Sequence, residues 1–398
     1  MIINGKRALA YPVIINEVKE HPNADRLDIA IVGGWQVIVG KGEFKSGDTA
    51  MYFEIDSKLP DKFPFNEMDF LKSKHYKIKT QKIRGSLSQG FIVSLDTLGL
   101  KIDSYNHISD NEGKKYNFET DFTDIIGVTY SDAEDNKRKK DNPNAKYDSM
   151  KSRHKKLFCK PYIKWLMKKS WGRKLLFFIF GRKKDKPRGF PEFISKTDEE
   201  RIENQPWRLQ EGKSWVMTEK LDGTSCTYAL KRLKRNKFEF YVCSRNVRQK
   251  DENQNCYHDH NIYWDLAFKY NIETMLKNWL ITHLEDEWVA IQGEGVGSVQ
   301  GNPLKLKEDD LYVFNFKTSS KGRLPSLQGK DTIEGWGMKW VPVLGICTLP
   351  HNMEDMKKMA DGKSQLNPEV IREGIVYRSS DGKESFKNVS NEYLLSRK

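Results

Sequence analysis

The stretch Trp215-Val216-Met217-Thr218-Glu219-Lys220-Leu221-Asp222-Gly223-Thr224-Ser225 constrains the fold most tightly. It reads as a strand that ends at Lys220, and Asp222-Gly223 then supplies a tight turn. A strand end holds the Lys220 amine on a rigid support. The glycine lets a phosphate approach the backbone, so the arrangement suits a covalent nucleophile. The same residues also fit a surface lysine ahead of a hairpin, and the rest of the chain has to decide between the two.

The 398 residues are enough for two or three domains, each able to bury a core. Lys and Arg number 68 against 55 Asp and Glu, a formal net charge of +13. That excess favours a polyanionic partner, nucleic acid ahead of an anionic membrane. The five cysteines (Cys159, Cys226, Cys243, Cys256 and Cys347) are scattered and form no Cys-x-x-Cys pair. The expectation is a reducing compartment, cytoplasmic or another intracellular one, with no disulfide framework. Cys256-Tyr257-His258-Asp259-His260 contains metal-ligating residue types but lacks a distant second pair, so it reads as a polar loop. No signal-peptide pattern opens the chain, and the most apolar run, 175–180, is too short to span a bilayer. The expected state is a monomer without a membrane span.

Residues 13–94 carry short β-rich runs: Ile14–Val18, Leu27–Val32, Trp35–Val39 and Ala50–Ile55, with Gly33-Gly34 and Lys45-Ser46-Gly47-Asp48 as turns. Ile83–Val93 supplies a closing turn and strand. This pattern fits an OB-fold barrel over 1–131. His21-Pro22-Asn23-Ala24-Asp25-Arg26-Leu27 resembles the start of tRNA-binding OB domains, and it equally fits a loop shaped for its own geometry.

Residues 132–188 form a basic linker or insertion. The charged run Ala133–Pro143 precedes Tyr162–Leu175, where apolar and basic residues interleave as in an amphipathic helix, and Arg182–Arg188 adds more positive charge. Docking between domains, tracking a nucleic-acid backbone and lying on an anionic membrane are all compatible with it. From Gly189 onward a single α+β domain is expected. Ser195 or Thr197 would cap a short helix, a longer helix would cover Tyr263–Leu284, and strands would cover Glu287–Gln292, Leu311–Phe316 and Gly374–Arg378.

Four further signals follow Lys220 in order: Cys243-Ser244-Arg245-Asn246; Ala290-Ile291-Gln292-Gly293-Glu294-Gly295; Tyr312-Val313-Phe314-Asn315-Phe316; and Arg372-Glu373-Gly374-Ile375-Val376-Tyr377 with Ser385-Phe386-Lys387-Asn388. Each alone is weak. Their order and spacing resemble the covalent nucleotidyltransferases, which include RNA ligases, DNA ligases and mRNA capping enzymes. Within that superfamily the chain is most similar to ATP-dependent RNA ligases of a branch with an N-terminal OB domain. Phe193–Arg201, Ser298–Asn302, Ile83-Arg84-Gly85 and Ser88-Gln89-Gly90 carry that closer likeness. DNA ligases and capping enzymes usually place an OB domain after the last lysine motif, and here only eleven residues or so follow Lys387.

The resemblance implies ATP as donor, Mg2+ or Mn2+ as metal, and sealing of RNA 5′-phosphate and 3′-hydroxyl ends, in nicked duplexes among others. Lys220 would carry AMP, with Glu373 and Lys387 completing the catalytic set. Glu373 would hold the hydrated metal, Glu294 would contact the ribose or a metal-bound water, and Arg245 would hold the phosphate or the ribose. Phe314 would stack on adenine, the Glu219 backbone would read the base edge, and Asp222 would form the pocket floor or orient a lysine. Lys196 and Arg201 would contact nucleic acid. Lys387 and the metal are expected to keep Lys220 uncharged for attack. Many RNA ligases have a second lysine two residues before the last one; here that position is Ser385, and Lys383 is the substitute on offer. A capping-type guanylyltransferase and a non-catalytic RNA-binding OB module remain the competing readings.

Overall fold

The structure, a computed structural model, describes residues 2–3, 6–103, 107–130, 155–180, 188–249 and 261–396. The charged run 133–143 and the cluster 256–260 lie outside the described residues.

The N-terminal domain is built on strands β1 (Ala10–Ile14), β2 (Glu17–Glu20), β3 (Leu27–Val32), β4 (Trp35–Gly40), β5 (Thr49–Phe53), β6 (Gln81–Ile83), β7 (Ser86–Ser88) and β8 (Phe91–Ser94). The expected strand 14–18 is split. Ile15 and Asn16 break the ladder, with Ile15 buried and its N–H donating to Asp48 O. β2-β3-β4 form one antiparallel sheet, and β8-β5-β1 form another. β5 is apolar on both faces because both are covered. Ala50 and Tyr52 face a cluster containing Trp35 and Val37, while Met51 and Phe53 face one containing Phe65, Leu71 and Phe122. Gly90 is required where β8 begins. Its φ is +105°, and a Cβ there would lie 2.4 Å from the Tyr52 ring.

In the loop that resembles tRNA-binding domains, the side chains serve the loop itself. His21 Nε2 pairs with Ile83 O at 3.2 Å, Asn23 N–H donates to His21 Nδ1, and Asn23 Nδ2 donates to Arg84 O.

The insertion forms helices α1 (Lys155–Phe158), α2 (Pro161–Lys168) and α3 (Ser170–Phe180). The single amphipathic helix expected over 162–175 is therefore broken, at Lys169, whose backbone is extended. Phe158, Ile163 and Leu176 make a small core of their own. Tyr162, Trp165, Trp171 and Phe178 are exposed.

The C-terminal domain has two antiparallel sheets. β9 (Ser214–Lys220), β14 (Val343–Thr348), β15 (Gly374–Ser379) and β16 (Ser385–Val389) form the smaller, in the order β14-β9-β15-β16. β10 (Thr224–Arg232), β11 (Phe238–Cys243), β12 (Trp288–Val296) and β13 (Asp310–Thr318) are the long strands of the larger, an eight-stranded sheet. α4 (Ile262–Lys269), α5 (Ile272–Thr282) and α6 (Ser326–Gly335) cover its outer face. The helix expected over 263–284 is interrupted at Asn271, which adopts a left-handed φ of +48°. α7 (Met353–Ala360) packs on the smaller sheet around Trp215, Tyr377 and Phe386. α8 (Asn391–Ser396) ends the described chain.

The turn at Asp222-Gly223 does not close a hairpin. β9 pairs with β14 and β15, while β10 pairs with β11 and β12. The chain crosses there from one sheet to the other. Gly223 makes this possible, since a Cβ would sit 2.3 Å from Gly295 O. The helix expected near Ser195–Ile202 is absent. The segment is extended, with a 3-10 turn at Ile202–Asn204, and Ser195 Oγ accepts from Lys317 Nζ at 2.7 Å.

Candidate active site

Alternation decides what reaches the cleft. On β9, Trp215 and Met217 pack outward with α7, so Thr218 and Lys220 face the other way. On β12, Val289 and Ile291 join the outer core, and Glu294 lies opposite Ser225 of β10. On β16, Phe386 packs outward and Lys387 lies opposite Val376 of β15. The crossing at Asp222-Gly223 brings these inner faces together at Lys220.

Lys220 Nζ donates to Glu373 Oε2 at 2.7 Å. Burial is the largest influence on this amine and disfavours its charge. Glu373, Glu294 and Asp222 together outweigh burial, and the pKa of Lys220 is raised. The expectation joined Lys387 to a bound metal; in the protein alone the Glu373 carboxylate lies closest to the amine and raises its pKa. Lys387 itself is lowered to about 8, by burial first and then by the Lys220 and Arg201 cations. Glu294 is pushed up to about 8, by burial first and then by Glu373 and Asp222, against the pull of Lys220.

Asp222 is buried and accepts from the Tyr393 hydroxyl of α8, so the C-terminal helix anchors the turn after Lys220. Glu219 turns its carboxylate to the opposite side, where Oε2 accepts from Gln365 N at 2.8 Å. Its own backbone N–H donates to Pro342 O at 2.9 Å. Phe314 sits on β13 at the irregularity in its pairing with β12, half-buried, with the Arg378 guanidinium 5.7 Å from its ring centre.

Arg245 and Lys196 lie together on the rim. Arg245 pairs with Asp198 at 2.6 Å, both exposed, and Lys196 Nζ donates to Asn246 Oδ1 at 2.8 Å. Arg201 is not with them. It lies in the seam between the domains, its guanidinium 5.5 Å from the Trp35 ring, and it bridges to Lys387 through the backbone.

Lys383 is 81% exposed and faces Asp381, so it does not replace the second lysine. Ser385 instead donates to Glu199, whose carboxylate also meets Arg323 at 3.3 Å and Arg378 at 3.7 Å. Arg378 is buried and donates to Thr218 Oγ1 at 3.0 Å. Burial, with Arg323 adding to it, brings its pKa down to about 10 despite Glu199. Lys317 is lowered to about 8, by burial first and then by Arg323. Sequence reasoning missed these cations. The available signal was a charged residue on the inner parity of an otherwise apolar strand: Arg378 shares the face of Val376.

A divalent cation fits these residues. Glu373 and Asp222 add to burial in disfavouring the charge on Glu294, a repulsion that a cation would relieve, and hard oxygen donors suit Mg2+ or Mn2+. Among the described residues no three His, Cys, Asp or Glu side chains are close enough to hold an ion directly. A cation that retains several waters meets that condition.

Two sheets meet at a strand-end lysine, with acids and a second lysine converging on it, which is the arrangement expected from the resemblance to covalent nucleotidyltransferases. The comparisons with known proteins are more specific. Residues 213–390 match the RNA ligase family, and residues 12–95 match an OB-fold domain. The chain is similar to Naegleria gruberi RNA ligase solved with PPi, at 27% identity, covering 98% of both chains with a TM-score of 0.66. A mutant of that ligase with ATP and Mn superimposes at a TM-score of 0.68, covering 98% of this chain and 99% of the other. The chain thus carries an RNA ligase domain behind an N-terminal OB-fold domain, an arrangement similar to that of the Naegleria ligase over nearly its whole length.

Among curated proteins, the phenylalanine–tRNA ligase beta subunit of Geobacter metallireducens is 33% identical over 95 residues, 23% of this chain. That of Geobacter sulfurreducens is 32% identical over the same length. The chain spans about a tenth of the length of these two relatives. Among the described residues no helix is long and apolar enough to cross a membrane.

Proposed function

We propose that this protein uses ATP and a divalent metal to seal RNA 5′-phosphate and 3′-hydroxyl ends, nicks in duplexes among them, through a lysyl-AMP intermediate. The observation that carries this reading is the Lys220 amine, 2.7 Å from Glu373, where Glu294, Asp222 and Lys387 converge.

In the first step Lys220 Nζ loses its proton and attacks the α-phosphorus of ATP. An N–P bond forms, the α–β phosphoanhydride breaks and pyrophosphate leaves. In the second, AMP passes from Lys220 to the RNA 5′-phosphate. In the third, a 3′-hydroxyl attacks that phosphate and AMP departs. Glu373 holds and orients the amine before reaction, and it retains the proton on Lys220 until an added positive charge competes for the carboxylate. Glu294 and Glu373 would hold the metal, which when bound supplies that charge and stabilises the developing negative charge on phosphate. Lys387 places a second cation beside Lys220, where the α-phosphate becomes more anionic. Phe314 offers a ring face for the base, and the rim pair Arg245–Asp198 lies where a ribose or RNA phosphate could exchange with it. Lys196 on the same rim, and the exposed cations of α2 and α3, would contact the RNA backbone.

Incubation with α-labelled ATP and Mg2+ or Mn2+ tests the first step. Wild type is expected to become covalently labelled and Lys220→Ala to stay unlabelled. Equal labelling of the two would dismiss Lys220 as nucleophile. Preferential labelling by GTP would move the reading to a capping-type guanylyltransferase, and tight RNA binding without any adduct to a binding module. Sealing of a nicked duplex with RNA or DNA on the 3′-hydroxyl side then fixes the substrate.

A further inference from the structure

The segment that enters the ligase domain runs along the seam between the two domains. On one side, residues 200–204 lie against β16. Lys387 N–H donates to Glu200 O at 2.7 Å, and Arg201 and Lys387 form a parallel bridge. On the other side stands Trp35, the first residue of β4, 2% exposed. Its indole Nε1–H donates to Asn204 Oδ1 at 3.0 Å, and its ring faces the Arg201 guanidinium at 5.5 Å. Asn204 in turn donates to the Glu200 carboxylate. Gly34 leaves no room at this contact, since a Cβ would lie 2.9 Å from both Glu203 Cα and Met353 Cε. The OB domain is therefore packed directly onto the segment that borders Lys387.

Arg201 has few directional restraints. Its Nη1 lies 3.7 Å from Glu203 Oε1, and that carboxylate is already engaged by Lys357. A planar guanidinium is then held largely by the surface it stacks on, which here is the indole. Its charge reaches the site, because Arg201 adds to Lys220 in disfavouring the charged form of Lys387.

We propose that Trp35 is a positioning residue for adenylylation: the OB domain, through this indole, holds the Arg201 guanidinium beside Lys387, so the cations facing the ATP phosphates are set only when that domain is docked. The proposal rests on Lys220 being the adenylylated residue, and it gives the OB domain a part in the first chemical step as well as in RNA contact.

Lysyl-AMP formation is measured against ATP concentration in the full chain for wild type, Trp35→Phe, Trp35→Ala, Arg201→Ala and the Trp35→Ala/Arg201→Ala double variant. Trp35→Phe keeps a ring face and should stay within about threefold of wild type. Trp35→Ala should raise KM for ATP about tenfold with a smaller change in kcat. The double variant should be no worse than Arg201→Ala, because both losses act through one guanidinium. A wild-type KM in Trp35→Ala, or full additivity in the double variant, overturns the proposal. Should Trp35→Ala fail to fold, Gly34→Ala wedges the same seam and leaves the indole intact, with the same KM rise expected and an unchanged KM counting against the idea. A wild type that forms no adduct at all would defeat the reading of Lys220 instead.

Discussion

Glu294→Gln should stabilise the nucleotide-free protein while removing activity, and the gain should grow with pH. The carboxyl moves from 4.5 to about 8, with burial as the main cause and Glu373 and Asp222 adding to it. Below pH 4.5 it is protonated in folded and unfolded chains alike and contributes nothing. Between 4.5 and 8 the folded chain holds a proton that the unfolded chain has released, so stability falls as pH rises through that window and levels off above it. The full conversion is about 5 kcal/mol above pH 8. Glu294 is only partly shielded from water and is coupled to the Lys220–Glu373 pair, so about half, roughly 2.5 kcal/mol, is the working value. Glutamine keeps the shape and does not titrate. Thermal unfolding without metal or ATP should therefore show the variant and wild type nearly level at pH 5. By pH 8.5 the variant should melt about 5–10 °C higher. Added Mn2+ should narrow the gap by stabilising wild type, since the cation favours the ionised carboxylate. A Tm difference independent of pH, or one that reverses sign, would refute the electrostatic account of the site.

Two further outcomes follow from the geometry. Lys383→Ala should leave adenylylation within about twofold of wild type because its amine is exposed on the β15–β16 turn, whereas Lys387→Ala should lower it by about two orders of magnitude; similar losses in both would put the second cation back at Lys383. Changing Lys164, Lys168, Lys169 and Lys174 together to Gln should weaken RNA binding and reduce the slope of log affinity against log salt by about 3, and an unchanged slope would take the RNA backbone off α2 and α3.

The likeness to the OB-bearing RNA ligases was legible because it is written in short local motifs. A strand end with Lys220, a glycine that cannot carry a side chain at 223, and a lysine on the inner parity of a late strand are all one-dimensional patterns. So are the short β runs and glycine turns of the first hundred residues. Local patterning does not report which sheet a strand joins, and the turn at Asp222-Gly223 therefore proved to be a crossing between sheets. Nor does it report protonation. Lys220 and Glu373 are 153 residues apart, and only folding puts them 2.7 Å from each other. The same holds for Arg201, a surface cation by its sequence, which folding lays against Trp35 of another domain.

What the sequence by itself determined is the candidate set and its order, since Lys220, Glu294, Glu373 and Lys387 are set by residue type and spacing along strands. Tertiary structure alone decided the electrostatic surroundings of these groups, the buried cations around Ser385, and the OB domain's contact with Arg201. Those properties depend on burial and on distances between groups remote in the chain, and neither quantity exists before the chain is folded.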